Sequence, residues 1–141
     1  MIFKQLFDSK SSTYTYLIGS AKGREAIIID PVLENVDEYI AHLKELDLKL
    51  VKVIDTHIHA DHITGASKLK IDTNCTTIMG ENSPADTVDI KLKDDGIIEI
   101  DQLKIRAMFT PGHTSDSYSF LMDNYLFCLL YTSDAADDDH C

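Results

Sequence analysis

A run of metal-binding residue types at positions 57–62 constrains this chain more than any other feature. It reads His-Ile-His-Ala-Asp-His, so three histidines and one aspartate fall within six residues. An apolar run at residues 50–54 precedes it, and residues 62–70 follow with the composition of a short helix that ends in basic residues. The pattern predicts a buried strand, a polar loop and a helix in succession. A fold that contains this unit must therefore hold several imidazoles at the end of a strand.

Clustered imidazoles and a carboxylate favour a metal site in this loop. A divalent ion needs several donor atoms within roughly 2–2.5 Å, and zinc and iron accept both nitrogen and oxygen ligands. The spacing lets His57 and His59 reach one ion, and it lets Asp61 and His62 reach a neighbouring one. A solvated polar loop would explain one such histidine, but not four ligand-type side chains in six residues. We therefore predict a metal centre beyond the carboxyl end of a strand, where α/β folds place their sites.

A second candidate ligand follows about fifty residues later in the chain. Residues 110–114 read Thr-Pro-Gly-His-Thr and come directly after an apolar run at residues 103–109. Proline and glycine favour a sharp turn, which would present His113 beyond the end of a strand. Alone, this sequence is typical of a simple turn. Together with the first cluster, it predicts that His113 is a third metal-binding histidine.

The remaining periodicity predicts a layered domain that contains both helices and strands. A helical stripe with acidic residues in its first turn predicts a helix over residues 34–46. Alternating and continuous apolar runs predict strands over residues 2–7, 14–18, 25–30, 50–54, 76–79, 90–92, 97–100 and 103–109, followed by a hairpin of residues 117–122 and 125–127. This order indicates the α/β class.

Composition and charge exclude several classes of protein. With 141 residues the chain is long enough for one domain with a core. No apolar run approaches the roughly 20 residues of a membrane span. The formal net charge is −11 and there is no basic cluster, so we expect neither a nucleic-acid nor a membrane partner. No motif indicates an oligomeric state.

Cysteine usage and the start of the chain bear on the compartment. The cysteines are Cys75, Cys128 and Cys141, and none forms a CxxC pair. We therefore expect no disulfide scaffold and interpret Cys75 as a small core residue. The first residues lack the apolar core and cleavage site of a signal peptide, so the expected location is the cytoplasm.

The two histidine motifs resemble those of the metallo-β-lactamase superfamily. Its H-x-H-x-D-H motif matches His57, His59, Asp61 and His62, and its Pro-Gly-His-Thr motif matches residues 111–114. The resemblance covers residues 1 to about 127. It implies an αββα sandwich, of the α/β (α+β) class, with the metal at one edge of the sheets. The expected domain is the N-terminal half of this fold.

Within the superfamily, the chain resembles the persulfide dioxygenase branch. Residues 56–65 read Thr-His-Ile-His-Ala-Asp-His-Ile-Thr-Gly, which is similar to that branch, as are residues 3–7, 13–17 and 29–34. The related hydroxyacylglutathione hydrolases (glyoxalase II) usually have a bulkier residue or proline before the aspartate, and Gly-Gly later. Ala60 and the Ile-Thr-Gly that follows the cluster therefore favour the dioxygenase branch.

The resemblance also implies a cofactor and a reaction. The branch holds one Fe(II) with two histidines and one aspartate, and the histidines match His57 and His113. His59, Asp61 and His62 would then orient the ligands, with Asp61 counted with His57 and His113 as catalytic. The implied reaction takes glutathione persulfide, O2 and water to glutathione and sulfite. In a dizinc thioesterase of the glyoxalase II type, the same positions would instead bind two zinc ions. A non-catalytic superfamily member is the third possibility.

The end of the chain departs from the family pattern. After a strand like residues 125–127 the family continues Thr-Gly-Asp, and that aspartate is the third metal ligand. Here Leu130 stands at the aspartate position and cannot ligate, and Asp134 is a poor substitute. Residues 128–137 resemble the translation of a transposase-type sequencing adapter. We therefore expect residues 1–127 to be the N-terminal part of the domain and residues 128–141 to be a non-native tail, with a genuine acidic tail as the alternative.

A half-length domain leads to three further expectations. The first sheet would lack its partner sheet, so that apolar faces would be exposed. The metal site would be incomplete. The chain as written would be poorly stable and inactive.

Overall fold

The computed structural model describes residues 1–56, 65–81, 88–101, 103–109, 118–122 and 125–127. The strands and helices within these ranges confirm most of the elements that the sequence predicts. In chain order they are β1 (Ile2–Asp8), β2 (Thr13–Gly19), β3 (Glu25–Ile29), α1 (Val36–Glu45), β4 (Lys49–Ile54), α2 (Ala66–Thr73), β5 (Thr76–Gly80), β6 (Ile90–Leu92), β7 (Ile97–Ile100), β8 (Leu103–Phe109), β9 (Tyr118–Met122) and β10 (Tyr125–Phe127).

The first sheet is mixed and has the order β1-β2-β3-β4-β5-β6. Strands β1 to β3 form an antiparallel meander, whereas β3 to β6 run parallel to one another. Parallel neighbours need a crossover connection, and α1 supplies it between β3 and β4. Because β3, β4 and β5 run in the same direction, their carboxyl ends lie at one edge of the sheet.

Both helices cover one face of this sheet. Helix α1 buries Val36, Tyr39 and Leu43, which share one side of the helix. A single 3₁₀ turn (Leu33–Asn35) replaces the start of the predicted helix over residues 34–46. The rest of the core on this face is formed by apolar side chains of both helices and the sheet: Leu17, Ala26, Ile28, Leu48, Leu50, Val53, Ala66, Leu69 and Cys75. Cys75 is therefore the small core residue that the sequence predicts, and burial raises the pKa of its thiol.

The predicted bounds of the second helix are wrong. A helix over residues 62–70 was expected, but α2 begins at Ala66 and ends at Thr73. Gly65 lies before the helix, and a Cβ added there would come within 2.9 Å of Val36 Cγ2. The start of α2 is therefore set by close packing against α1. Its end is set by Asn74, which takes the left-handed conformation (φ 58°) that commonly closes helices.

The expectation that the first sheet lacks a partner is also wrong. Strands β7 to β10 form a second, antiparallel sheet with the order β10-β9-β8-β7, and the predicted hairpin pairs Met122 with Tyr125. Alternate residues of β7 and β8 point toward the first sheet. Their apolar side chains form the inner face of the second sheet. The core between the sheets consists of Ile18, Ile27, Ile29, Ile54, Ile78, Ile98, Ile100, Ile105 and Ala107, each at most 3% exposed.

The layers are thus helices, first sheet and second sheet, which are three of the four layers of an αββα sandwich. The α/β class is confirmed. In the ranges listed above, no helix lies on the outer face of the second sheet. No helix in the described part of the chain is both long enough and apolar enough to cross a membrane.

Candidate functional site

The predicted ligands lie outside the described residues. His57, His59, Asp61 and His62 fall within residues 57–64, and His113 falls within residues 110–117. Leu130 and Asp134, which bear on the expected third ligand, also lie outside the described residues. What the structure does describe is the framework from which the two predicted ligand segments depart, at Thr56 and Phe109.

A buried aspartate fixes the backbone immediately before His57. Asp30 follows β3 and Thr56 follows β4, and both are at most 2% exposed. The carboxylate of Asp30 accepts the Thr56 N–H at 2.8 Å on Oδ1 and the Thr56 hydroxyl at 2.7 Å on Oδ2. Hydrogen bonds to an ionised acceptor are shorter and stronger than neutral ones. The residue that precedes the histidine cluster is therefore held at two points.

Asp30 is itself held by neighbouring strands. Its φ of 57° lies in the left-handed region, which aspartate tolerates better than most residues. Its N–H donates to the Ile54 carbonyl at 2.8 Å. Its carbonyl accepts the Thr15 hydroxyl at 2.7 Å. Strands β2, β3 and β4 therefore all contribute to the position of this carboxylate.

Tyr39 connects the same cluster to helix α1. Its hydroxyl accepts the Val32 N–H at 3.0 Å and lies 3.0 Å from Thr15 Oγ1. Because the Thr15 proton is donated to the Asp30 carbonyl, the Tyr39 hydroxyl donates to Thr15. Burial raises the pKa of Tyr39. The chain of hydrogen bonds thus runs from helix α1 to Asp30, the residue that follows β3.

Contacts at the opposite end of the sandwich fix the position at which β8 begins. Asp101 lies between β7 and β8, and its Oδ2 accepts the N–H of Glu25, the first residue of β3, at 3.0 Å. Strand β8 therefore starts where β3 starts. Seven residues of strand extend roughly 20 Å. A strand of this length that runs along β3 reaches the edge at which β3 and β4 end, so we expect the segments that begin at residues 57 and 110 to depart from one edge.

The Asp101 cluster joins the two sheets and was not predicted from the sequence. Asp101 Oδ1 accepts from Arg24 Nη2 at 3.1 Å, Oδ2 also accepts the Ser20 hydroxyl, and the Asp101 N–H donates to Glu25 Oε1 at 2.8 Å. The Ser20 hydrogen bond, followed by the Glu25 N–H, lowers the pKa of Asp101 to about 2. Lys52 of β4 adds a second tie through a hydrogen bond to the Glu99 carbonyl.

Tyr16 packs against the core between the two sheets. Burial raises the pKa of Tyr16 to about 12, and the negative charge of Asp30 contributes to the rise. Its phenol stays protonated at physiological pH.

Within the ranges that the structure describes, no three His, Cys, Asp or Glu side chains are grouped closely enough to hold a metal ion.

Sequence comparison agrees with this architecture. The profile of the metallo-beta-lactamase superfamily matches residues 9–128, which is most of the chain. The chain belongs to the metallo-β-lactamase superfamily. The predicted superfamily fold is thereby confirmed, and the layers described above are the portion of it that this chain contains.

The relatives of this superfamily member include persulfide dioxygenases and hydroxyacylglutathione hydrolases. Persulfide dioxygenase ETHE1, mitochondrial, of Bos taurus is 35% identical over 136 residues, which are 96% of this chain and 52% of that protein. The crystal structure of ETHE1 from Myxococcus xanthus is 46% identical with a TM-score of 0.85, over 89% of this chain and 56% of that one. The hydroxyacylglutathione hydrolase of Dictyostelium discoideum is 30% identical over 113 residues, 79% of this chain and 41% of that protein.

The predicted resemblance to the persulfide dioxygenase branch is therefore confirmed. The chain spans about half the length of the curated relatives it matches.

Proposed function

We propose that this superfamily member, in its full-length form, is a non-haem iron persulfide dioxygenase. It would oxidise glutathione persulfide with O2 and water to glutathione and sulfite. The observation that carries this proposal is the likeness to ETHE1 from Myxococcus xanthus, at 46% identity and a TM-score of 0.85 over 89% of this chain. The sequence from Ala60 to Gly65 supports the same branch.

The ligand set that we propose follows the sequence motifs. His57 and His113 would hold one Fe(II) per chain, with His59, Asp61 and His62 orienting them and Asp61 sharing in catalysis. Imidazole and carboxylate donors suit iron and zinc alike, so the donor chemistry fits the ion without selecting it. When bound, Fe(II) supplies open coordination positions for the substrate sulfur and O2.

The described framework supports a preorganised site. Asp30 fixes Thr56 through two buried hydrogen bonds, so the backbone adjacent to His57 has little freedom to move. A ligand that departs from a rigid strand end is held more precisely than one on a free loop. The third ligand, which the resemblance assigns to a carboxylate, is replaced by Leu130 in this chain. We therefore propose that the 141-residue chain alone is inactive.

The alternative proposal is a dizinc thioesterase of the glyoxalase II type. The likeness to the Dictyostelium discoideum hydroxyacylglutathione hydrolase favours it, at 30% identity. In that case His57, His59, Asp61, His62 and His113 would all be zinc ligands. A bridging hydroxide, which two zinc ions supply, would attack a thioester.

Metal analysis of matched variants separates the two proposals. We expect the full-length protein to contain one iron, the His57→Ala variant to lose it, and the His59→Ala variant to retain it. Two zinc ions in the parent, with zinc lost in both variants, would favour the thioesterase instead. A full-length protein that binds no metal would point to a non-catalytic superfamily member. Elemental analysis of the purified proteins measures all three outcomes.

Small molecules are the proposed partners, namely glutathione persulfide and O2. The net charge of −11 argues against nucleic acid and anionic membranes. We propose a cytoplasmic location, whereas the bovine relative is named as a mitochondrial protein. Imaging of the tagged full-length protein in its host cell distinguishes these compartments.

A further inference from the structure

Residues 30–32, which follow β3, contact the chain on both sides of the predicted ligand segment 57–64. On the side that precedes this segment, the Asp30 carboxylate accepts the N–H and the hydroxyl of Thr56. On the side that follows it, the Pro31 carbonyl accepts the Gly65 N–H at 2.9 Å. We call residues 30–32 the clamp segment, because they hold the described residue at either end of the predicted ligands.

The contact between Gly65 and the clamp segment is also a close packing contact. A Cβ added to Gly65 would lie 3.2 Å from Pro31 Cβ and 3.2 Å from the Val32 carbonyl oxygen. Closely packed groups transmit displacements to one another. A shift of the clamp segment would therefore move Gly65 as well as Thr56.

The Tyr39 hydroxyl holds the clamp segment at both of its ends. It accepts the Val32 N–H directly at 3.0 Å. It also reaches Asp30 through Thr15, because it lies 3.0 Å from Thr15 Oγ1, which donates to the Asp30 carbonyl at 2.7 Å. Tyr39 and Thr15 are each 1% exposed, so water does not replace these hydrogen bonds when one partner is removed.

We propose that Tyr39 is a positioning residue for the metal site, which acts through Thr15 and the clamp segment. The inference rests on the proposed metal site, but it does not depend on whether that site binds iron or zinc. Groups that orient metal ligands typically contribute roughly 10- to 100-fold to metal affinity. Because Tyr39 acts through intermediate residues, we expect an effect of about tenfold, at the lower end of this range.

Removal of a single hydroxyl tests the proposal. Tyr39→Phe keeps the buried ring and loses only the hydrogen bonds. Binding of Fe(II) and, separately, of Zn(II) to the metal-free full-length protein is measured anaerobically against a competing chelator, at a temperature at which circular dichroism shows every variant folded. We expect Tyr39→Phe to raise the dissociation constant of the ion that the parent binds about tenfold.

Ser20→Ala is the matched control for a general loss of stability. It also removes one hydroxyl hydrogen bond, to Asp101 at the opposite end of the sandwich. We expect this variant to bind metal as the parent does. A Tyr39 that only stabilises the fold would not change metal affinity more than Ser20 does.

Two substitutions at Thr15 test the route from Tyr39 to the clamp segment. Thr15→Val removes the hydroxyl and should also weaken metal binding, whereas Thr15→Ser keeps the hydroxyl and should restore the affinity of the parent. Because both residues act on the same segment, the combined effect of Tyr39→Phe and Thr15→Val should be smaller than the product of the single effects. If Tyr39→Phe does not fold, the Thr15 pair decides the question.

An unchanged dissociation constant in folded Tyr39→Phe would overturn the proposal, as would an equal increase in Ser20→Ala. In both cases a parent that binds metal would leave the proposed function standing. A full-length parent that binds neither ion would overturn this proposal together with the proposed function.

Discussion

Asp30 and Asp101 have nearly the same local chemistry at opposite ends of the sandwich. Each has a left-handed backbone, with φ of 57° and 49°. Each accepts one backbone N–H and one hydroxyl hydrogen bond, from Thr56 in the first case and from Glu25 and Ser20 in the second. They differ in what they join, because Asp30 ties two strand ends of one sheet whereas Asp101 ties the two sheets together.

The two aspartates also differ in exposure. Asp30 is 2% exposed, while the side chain of Asp101 is 15% exposed and lies beside the largely solvated guanidinium of Arg24. A buried carboxylate and its donors lose more when one partner is removed, because water cannot replace the missing hydrogen bond. The difference indicates that the candidate site edge is the more rigid and the more sensitive end of the sandwich.

The largest effect is expected for Asp30→Ala. The substitution leaves the Thr56 N–H and hydroxyl buried without their acceptor and places alanine at a left-handed φ, so we expect a loss of about 3–5 kcal/mol in the free energy of unfolding. Asp30→Asn keeps one acceptor and tolerates this φ, and should lose about half as much. Urea unfolding of the full-length variants measures both. Equal stability of Asp30→Ala and the parent would contradict the role of this carboxylate.

A smaller effect is expected for Thr56→Val, which removes only the hydroxyl donor. We expect a loss of about 1–3 kcal/mol, because Asp30 Oδ2 then loses a buried hydrogen bond. Ser20→Ala is the matched change at Asp101 and should be milder, since solvent reaches that cluster. Chemical unfolding of the two variants side by side tests the order. A Ser20→Ala loss larger than that of Thr56→Val would reverse the comparison.

The contribution of Asp101 to the stability of the fold should depend on pH. A carboxyl whose pKa is lowered in the folded state stabilises the fold above its unfolded pKa of about 3.9. That stabilisation is lost as the pH falls toward the folded value of about 2. We therefore expect Asp101→Asn to lower the melting temperature at pH 5–7, with the difference from the parent shrinking below about pH 4. A difference that does not change between pH 6 and pH 2 would exclude an ionised Asp101.

The smallest effect is expected for Arg24→Ala. The side chain of Arg24 is 59% exposed. Exposed ion pairs contribute little to stability and are screened by salt. The change in melting temperature should be the least of this series and should vanish at about 1 M NaCl. A decrease in melting temperature that is independent of salt and as large as that of Ser20→Ala would show that Arg24 contributes more than an exposed ion pair with Asp101.

Most of the fold was predictable because it depends on local periodicity. The alternation in β1 and β2 and the helical stripe of α1 directly report which side chains are buried. The start of α2 was not predictable, because it depends on the contact between Gly65 and Val36, 29 positions apart in the sequence. The presence of β7 and β8 was predicted, but not that their inward residues complete the core between the sheets.

The site was predictable only at the level of residue types. His57, His59, Asp61, His62 and His113 are visible in the sequence because metal ligands cluster. The supporting aspartates are not, since the donors to Asp30 and Asp101 come from residues up to 26 and 81 positions away. No local pattern distinguishes such an aspartate from a solvated turn residue.

Oxygen uptake by the full-length protein tests the central claim most directly. With glutathione persulfide as substrate, we expect O2 consumption and equivalent sulfite formation. Activity should be lost in His57→Ala and His113→Ala variants that remain folded. Cleavage of a glutathione thioester without persulfide-dependent O2 uptake would contradict the proposed dioxygenase.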